Sequence, residues 1–375
     1  MKIAHIVSHG GLNGVATTTA TLIKEQVSAG HQVTLVHRPG AWIASQLAGA
    51  PVNMVPCRFS RHPAEMSAVG RQLDDAEIDV VHSHGSSANV YAMIFRCAVA
   101  APTVMTAHSR QFQPTWRFAH QVIGLSDHTA RYYTSRFLIA KSRIHSIPNM
   151  FDAQALPIAT DAERLAARQK LGIAPETFLL GSVGVIGQRK RQSDMVQILD
   201  RLLQAGCDAE LALIGPYSRS GPGTQTFERA LADPAMRGRI HLLGERQDAA
   251  DLVAGLEVYL CTSEQEEAPI APLEAMARGV PVISTDVGNM ADLLPESLIF
   301  KVADIAGMAA MALRFRGDPG LMRHQGLAGR AVVESLLAPS AILPRIEAVY
   351  DLALLEAGQK HRRIVAPRRQ RNHPT

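Results

Sequence analysis

Thirteen short apolar runs separated by helical stretches constrain this chain more than any other feature. KIAHIV (2–7), QVTLV (32–36), VNMV (52–55), DVVHS (79–83), TVMTA (103–107), QVIGL (121–125) and RIHSI (143–147) read as strands in the first half. Helical sequence lies between them, as in 15–30, closed by Gly30, and in 87–100. This β-α rhythm predicts parallel, doubly wound sheets. It breaks at IPNMFDAQALPIAT (147–160), passes the helical DAERLAARQKLG, and restarts. FLLGSVG (178–184), ELALIG (210–215), RIHLLG (239–244), VYLC (258–261), VPVIS (280–284) and LIFKV (298–302) are the strands of the second half. From Pro319 the pattern is helical, and 340–358 is the last element, with Pro344 tolerable in a first turn or at a kink. A length of 375 residues suits two domains, placed here at 1–155 and 156–339. In open α/β sheets ligands bind at the carboxyl ends of the strands.

A hydrophobic content of 47% with only 5% aromatics fits such a fold. No run of eighteen apolar residues exists to span a membrane, and MKIAHIVSHGG enters a strand with no leader-like segment, so a cytoplasmic protein is expected. Cys57, Cys97, Cys207 and Cys261 form no C-x-x-C pair and read as reduced core thiols. His82-x-His84 matches no zinc spacing, and no metal is expected. Net charge is +4, but 360–375 carries six Lys/Arg and no acid, which leaves the body at −2. That tail reads as disordered, with peripheral contact to an anionic membrane as its functional alternative. The body lacks the basic, aromatic face that nucleic acid requires.

The segment 261–294, CTSEQEEAPIAPLEAMARGVPVISTDVGNMADLL, reads as strand end, loop, helix, strand and loop. Glu266 and Glu274, eight residues apart, flank the helix start over Pro269, Ile270 and Ala271. A helix start offers free N–H groups and a positive end to an anion, and the carboxylates accept from hydroxyls. Phosphate plus hydroxyls points to a nucleotide sugar. SHGGLNGVA (8–16) follows the first strand, and its Gly10, Gly11 and Gly14 permit close approach and positive φ. GSVGVIGQRKRQSDMVQIL (181–199) opens the second half, with Arg189, Lys190 and Arg191 just before its helix, where cations offset the charge of a diphosphate. His108 ends a strand in TAHSRQ, and Ser126 and Asn149 lie in GLSDHTARYY and SIPNMFD. Residues 109–121 carry Phe112, Trp116 and Phe118 beside Arg110 and Arg117, either a lipid-facing surface or an ordinary helix with core aromatics.

The E-x7-E spacing with the EAMA-x-G-x-P-V-I tail strongly resembles the retaining family-4 glycosyltransferases. That resemblance implies the GT-B architecture: two Rossmann-like, doubly wound domains facing a central cleft, with the final helix, about 340–360, crossing back to the N-terminal domain. It implies that Glu266 holds hydroxyls of the transferred sugar and Glu274 the ribose. Gly11 is the equivalent of the family's loop glycine at the donor phosphates, and His108 of a histidine beside the donor sugar. Lys190 matches the lysine of G-R-x4-K-G, while the motif's Arg falls on Val185, leaving Arg189 or Arg191 to replace it. Ser126 and Asn149 match cleft-lining segments. Met150 stands where the family has Gly, so Asn149 is expected to supply any left-handed geometry there.

The expected activity is retaining transfer of a hexose-type sugar from a nucleotide-diphosphate sugar to a glycan or glycolipid hydroxyl, without a cofactor and without a required metal. Cell-surface polysaccharide or lipopolysaccharide synthesis is the expected setting. A GT-B nucleotide-sugar epimerase and a catalytically silent binding protein are the alternatives.

Overall fold

The computed structural model describes residues 1–60, 62–95, 100–217 and 224–365. Cys97 and 366–375 of the basic tail lie outside them. The chain forms two compact units, Met1–Ile147 with Ile342 onward, and Pro148–Ala341. Residues 148–155, grouped with the first domain in the sequence reading, lie in the second unit.

The first unit holds strands β1 (Lys2–Val7), β2 (Gln32–His37), β3 (Val52–Pro56), β4 (Val80–His84), β5 (Thr103–Ala107), β6 (Gln121–Gly124) and β7 (Ile144–Ser146). The second holds β8 (Phe178–Val183), β9 (Ala209–Ile214), β10 (Ile240–Leu242), β11 (Val258–Cys261), β12 (Val282–Thr285) and β13 (Ile299–Phe300). The sheet orders are β3-β2-β1-β4-β5-β6-β7 and β10-β9-β8-β11-β12-β13, and the named strands pair in parallel. Both orders reverse between the first and fourth strand of their unit, at β1/β4 and β8/β11. Such switch points open a crevice at the strand ends, where neighbouring loops diverge.

Alternation sorts the first sheet's faces. Ala4, Ile6, Val36, Val81 and Met105 join one core cluster, and Val7, Val33 and Leu35 join another across the sheet. His5 pairs in register with His82, and Val7 with His84. Histidines therefore share the face of Val7.

Local signals set several helices. Asn13 accepts the Ala16 amide at 2.9 Å to start the helix Gly14–Ser28. Thr160 and Glu163 form a reciprocal capping box at Asp161–Leu171, and Gly172 ends that helix at φ 72°. The last helix, Pro339–Val365, buries Ile342, Ile346, Val349, Tyr350 and Ala353, an i, i+4, i+7, i+8, i+11 stripe. It returns to the first unit, where Arg345 donates to the Ser146 carbonyl at 2.8 Å and Glu347 meets His31 at 2.6 Å. Pro344 lies in the second turn, not the first, two residues past the point where the chain changes unit. Pro319–Gly358 is long enough, and apolar enough over one eighteen-residue window, to count as a candidate membrane span, and a third of that window is buried. It comprises two helices, Pro319–Leu336 and Pro339–Val365, and the second docks on the first unit.

Candidate functional site

In the second unit the loops after β8 and β11 meet at the switch point. Lys190 Nζ lies 3.0 Å from Glu266 Oε1, and Arg189 Nη1 lies 2.6 Å from Oε2. Ser263 donates to Oε1 at 3.1 Å. Burial alone would raise the Glu266 carboxyl, but the two cations outweigh it and hold it below the usual carboxylate range. Backbone bonds fix the pairing: the Glu264 amide donates to the Arg189 carbonyl at 2.8 Å, and Thr262 Oγ1 reaches the Lys190 and Arg191 carbonyls at 2.9 and 3.0 Å. Gly184 makes room for the lysine. At φ 144°, a methyl placed there would sit 3.0 Å from Lys190 Cε. Gly215 packs its backbone on the same turn, and a methyl there would come within 2.1 Å of the Gly184 carbonyl oxygen.

Arg191 behaves differently from its neighbours. At φ 52° it precedes the helix Gln192–Gln204, and its guanidinium grips Asp194 with contacts of 2.7 and 3.2 Å. It serves its own helix start, because an αL residue there turns the chain into the helix and leaves the guanidinium beside the first-turn carboxylate. Val185, at the place of the expected arginine, is 60% exposed.

Glu274 lies in the first turns of Ile270–Ala277. Its carboxylate forms no hydrogen bond or ion pair among the described residues, and burial lifts its pKa to about 7. A half-buried carboxylate without a partner is costly for the fold and suited to taking hydroxyl donors. Pro269 occupies the cap position with no side-chain bond to the first turn. The backbone N–H groups of Ile270 and Ala271, not Pro269, are the donors of this helix end.

In the first unit the β1/β4 switch point holds Gly10, Gly11, His9 and His84. None of Gly10, Gly11 and Gly14 takes positive φ, contrary to the sequence expectation. A methyl at Gly11 would meet nothing within 4 Å, so this loop is open rather than strained. The residue that needs glycine here is Gly85, at φ 85°, where a methyl would lie 3.0 Å from the His9 ring. His108 follows β5, half-buried rather than exposed. Its Nε2 is 3.3 Å from His84 Nδ1, and burial first, then nearby His9, push its pKa down to about 3.

Of the two residues matched to cleft-lining segments, one caps a helix. Ser126 is 1% exposed and accepts the Thr129 amide at 3.2 Å as a helix cap. Asn149 is buried, and neither it nor Met150 has positive φ, so the expected left-handed geometry is not used here. Trp116 is buried and stacks on Tyr133 at 4.3 Å, whereas Phe112 and Phe118 are exposed. The 109–121 segment thus divides between core and surface.

His5, His82 and His84 cluster with ring nitrogens within 4.8 Å of one another. Every nitrogen of the trio has a hydrogen-bond partner: His5 with His84 and Gln26, His82 with Tyr350 and Thr106, His84 with His5 and His108. Sequence reasoning singled out His82 and His84 but missed His5. The signal available was that all three fall on alternate positions of the two strands at the switch point.

The family model of Glycosyltransferase Family 4 matches residues 12–155, and that of Glycosyl transferases group 1 matches 177–318. The N-acetyl-alpha-D-glucosaminyl L-malate synthase of Bacillus anthracis is 28% identical over 49% of this chain and 48% of its own length. The lipopolysaccharide core biosynthesis mannosyltransferase LpsB of Rhizobium meliloti is 27% identical over 50% of this chain and 56% of its own. The chain thus spans about half the length of these curated relatives. Among solved structures, Anabaena Alr3699/HepE in complex with UDP superimposes with a TM-score of 0.80 at 17% identity, covering 94% of this chain and 100% of that one. Two parallel sheets wound in the same order, an E-x7-E helix start at the second switch point and family matches to both halves converge: the chain belongs to glycosyltransferase family 4 and has the GT-B fold.

Proposed function

We propose that this chain is a retaining glycosyltransferase that moves a hexose-type sugar from a nucleotide-diphosphate sugar to a hydroxyl of a glycan or glycolipid. The observation that carries the reading is the pair of carboxylates around one helix start: Glu266 neutralised by Lys190 and Arg189, and Glu274 without a partner. In this reading Glu274 takes the ribose hydroxyls. The Ile270 and Ala271 amides, with Lys190 and Arg189, take the diphosphate, and Glu266 orients the sugar once the cations engage phosphate. Gly10 and Gly11 in the first unit leave space for substrate, and His108 takes a sugar hydroxyl.

Catalysis is then positioning plus stabilisation of the departing diphosphate as oxocarbenium character develops. The leaving phosphate takes the acceptor proton on the same face, which retains configuration. Basic side chains and a helix end supply the charge that a metal would otherwise bring, so no metal is required. Solved relatives of the same fold carry UDP and UDP-glucose, and a curated relative is a lipopolysaccharide core mannosyltransferase, which supports a nucleotide-sugar donor and a cell-surface glycan setting. Cytoplasmic action fits that setting, with the basic tail and exposed Phe112 and Phe118 as contacts to an anionic membrane.

Thermal shifts with UDP, GDP, ADP and their common sugars, with and without Mg²⁺, test the site. Ligand at 100 times its Kd stabilises by about 2.7 kcal/mol. A metal-independent shift lost in Glu274→Ala supports the reading, and no shift with any nucleotide sinks it. Time-resolved NMR then separates transfer, which yields nucleotide and a glycoside, from epimerisation, which yields a new free sugar, and from an inert donor.

A further inference from the structure

The buried polar face of the first sheet is one continuous hydrogen-bonded chain with a readable direction. Gln26 is its pivot, because an amide oxygen only accepts and an amide nitrogen only donates. Gln26 Oε1 lies 2.6 Å from His5 Nε2, so His5 carries its proton on Nε2 and offers a lone pair at Nδ1. That lone pair, 2.9 Å from His84 Nε2, places the His84 proton on Nε2 and leaves His84 Nδ1 to accept. His84 Nδ1 is 3.3 Å from His108 Nε2, which must therefore donate. In the other direction Gln26 Nε2 donates to Tyr350 at 2.9 Å, Tyr350 donates to His82 Nδ1 at 2.7 Å, and His82 Nε2 donates to Thr106 Oγ1 at 2.7 Å. Each member receives one proton and passes one on, with no conflict along the path.

We infer that this chain holds His108 as the Nε2–H tautomer, so that its Nδ1 is presented as a hydrogen-bond acceptor, which on the reading proposed above accepts from substrate. Nδ1 of His108 has no partner among the described residues. The assignment needs every imidazole to be neutral, and they are: burial holds His5 down at about 4, His108 at about 3, and His82 and His84 well below the ordinary histidine value. Gln26, His5 and His84 are positioning residues here, since they act only through His108.

The test is ¹⁵N–¹H NMR of histidine-labelled full-length protein, with the His108 resonances assigned by their loss in His108→Gln. The expected result in the wild type is a protonated Nε2 and a bare Nδ1 on His108. A proton on Nδ1, or a bound metal in stoichiometric amount with the cluster nitrogens shifted together, overturns the inference. Gln26→Leu removes the pivot and should give His108 two exchanging tautomers, with donor kcat/KM about 10-fold lower, the size of one hydrogen bond. An unchanged His108 tautomer in a folded Gln26→Leu protein overturns it as well. A thermal shift with no nucleotide sugar refutes the proposed nucleotide site, while the tautomer is still decided by the wild-type spectrum.

Discussion

Replacing Glu274 by Gln should make the protein more stable and a poorer nucleotide binder at once. Burial carries this carboxyl from its ordinary 4.5 to about 7, with no hydrogen bond or cation to offset the cost of ionising it. The folded pKa is raised, so the favourable contribution is complete below the unfolded value and disappears as pH climbs through the folded one. At ~1.4 kcal/mol per pH unit, the wild type gives up about 3 kcal/mol between pH 4.5 and pH 7. Glutamine never ionises, but its buried amide keeps a desolvation cost of about 1 kcal/mol. The net expectation for Glu274→Gln is a gain of about 2 kcal/mol at pH 8, a rise of about 4–8 °C in the transition of the second unit, turning into a loss of about 1 kcal/mol at pH 4.5, where only the amide cost is left. Thermal unfolding of both proteins from pH 4.5 to 8 measures this directly. The nucleotide identified by thermal shift should bind the variant at least tenfold more weakly, the loss of a charged hydrogen bond. Equal or lower stability of the variant at pH 8, or an identical pH profile, would refute the reasoning, because it would mean that the carboxylate is already solvated or paired.

Lys190→Ala should lower turnover at least 100-fold while costing about 1 kcal/mol of stability, since Arg189 still partners Glu266; steady-state assays and urea melts check both. Gly215→Ala, whose methyl would come within 2.1 Å of the Gly184 carbonyl oxygen, should destabilise the second unit by more than about 3 kcal/mol or prevent its folding, read by circular dichroism and soluble yield. Thr160→Ala removes one half of the capping box and should cost about 1 kcal/mol in melts without changing activity. Removing residues 360–375 should abolish sedimentation with anionic vesicles at low salt and leave turnover on soluble acceptors unchanged.

The strands were legible because parallel buried strands are short apolar runs between turn residues, and the ends of the thirteen differ from the sequence reading by no more than three residues. The last, LIFKV, shrinks to Ile299–Phe300. The β8–β11 loops were legible because their chemistry is local: three basic residues in a row and two glutamates around a helix start. What escaped depends on who meets whom across strands. His5 joins His82 and His84 only through the β1–β4 register, and no window along the chain contains all three. Arg191 was indistinguishable from Arg189 by composition; an αL backbone and the Asp194 carboxylate three residues on divide their duties. Ser126, matched to a cleft-lining segment, is also a helix cap, which the following Asp127 in the first turn already hinted.

The return of the last helix has a consequence for how the molecule is made. The second unit is a single contiguous stretch, Pro148–Ala341, whereas the first is assembled from two segments that lie far apart in the chain. The first unit, although it emerges earlier, lacks Tyr350 until the final segment leaves the ribosome, and Tyr350 joins Gln26 to His82. The half synthesised first should therefore close its core only once the returning helix is in place, and its histidine face should stay wet until then. A protein cut short after Ala341 should show a protease-resistant second unit beside a still-sensitive first one.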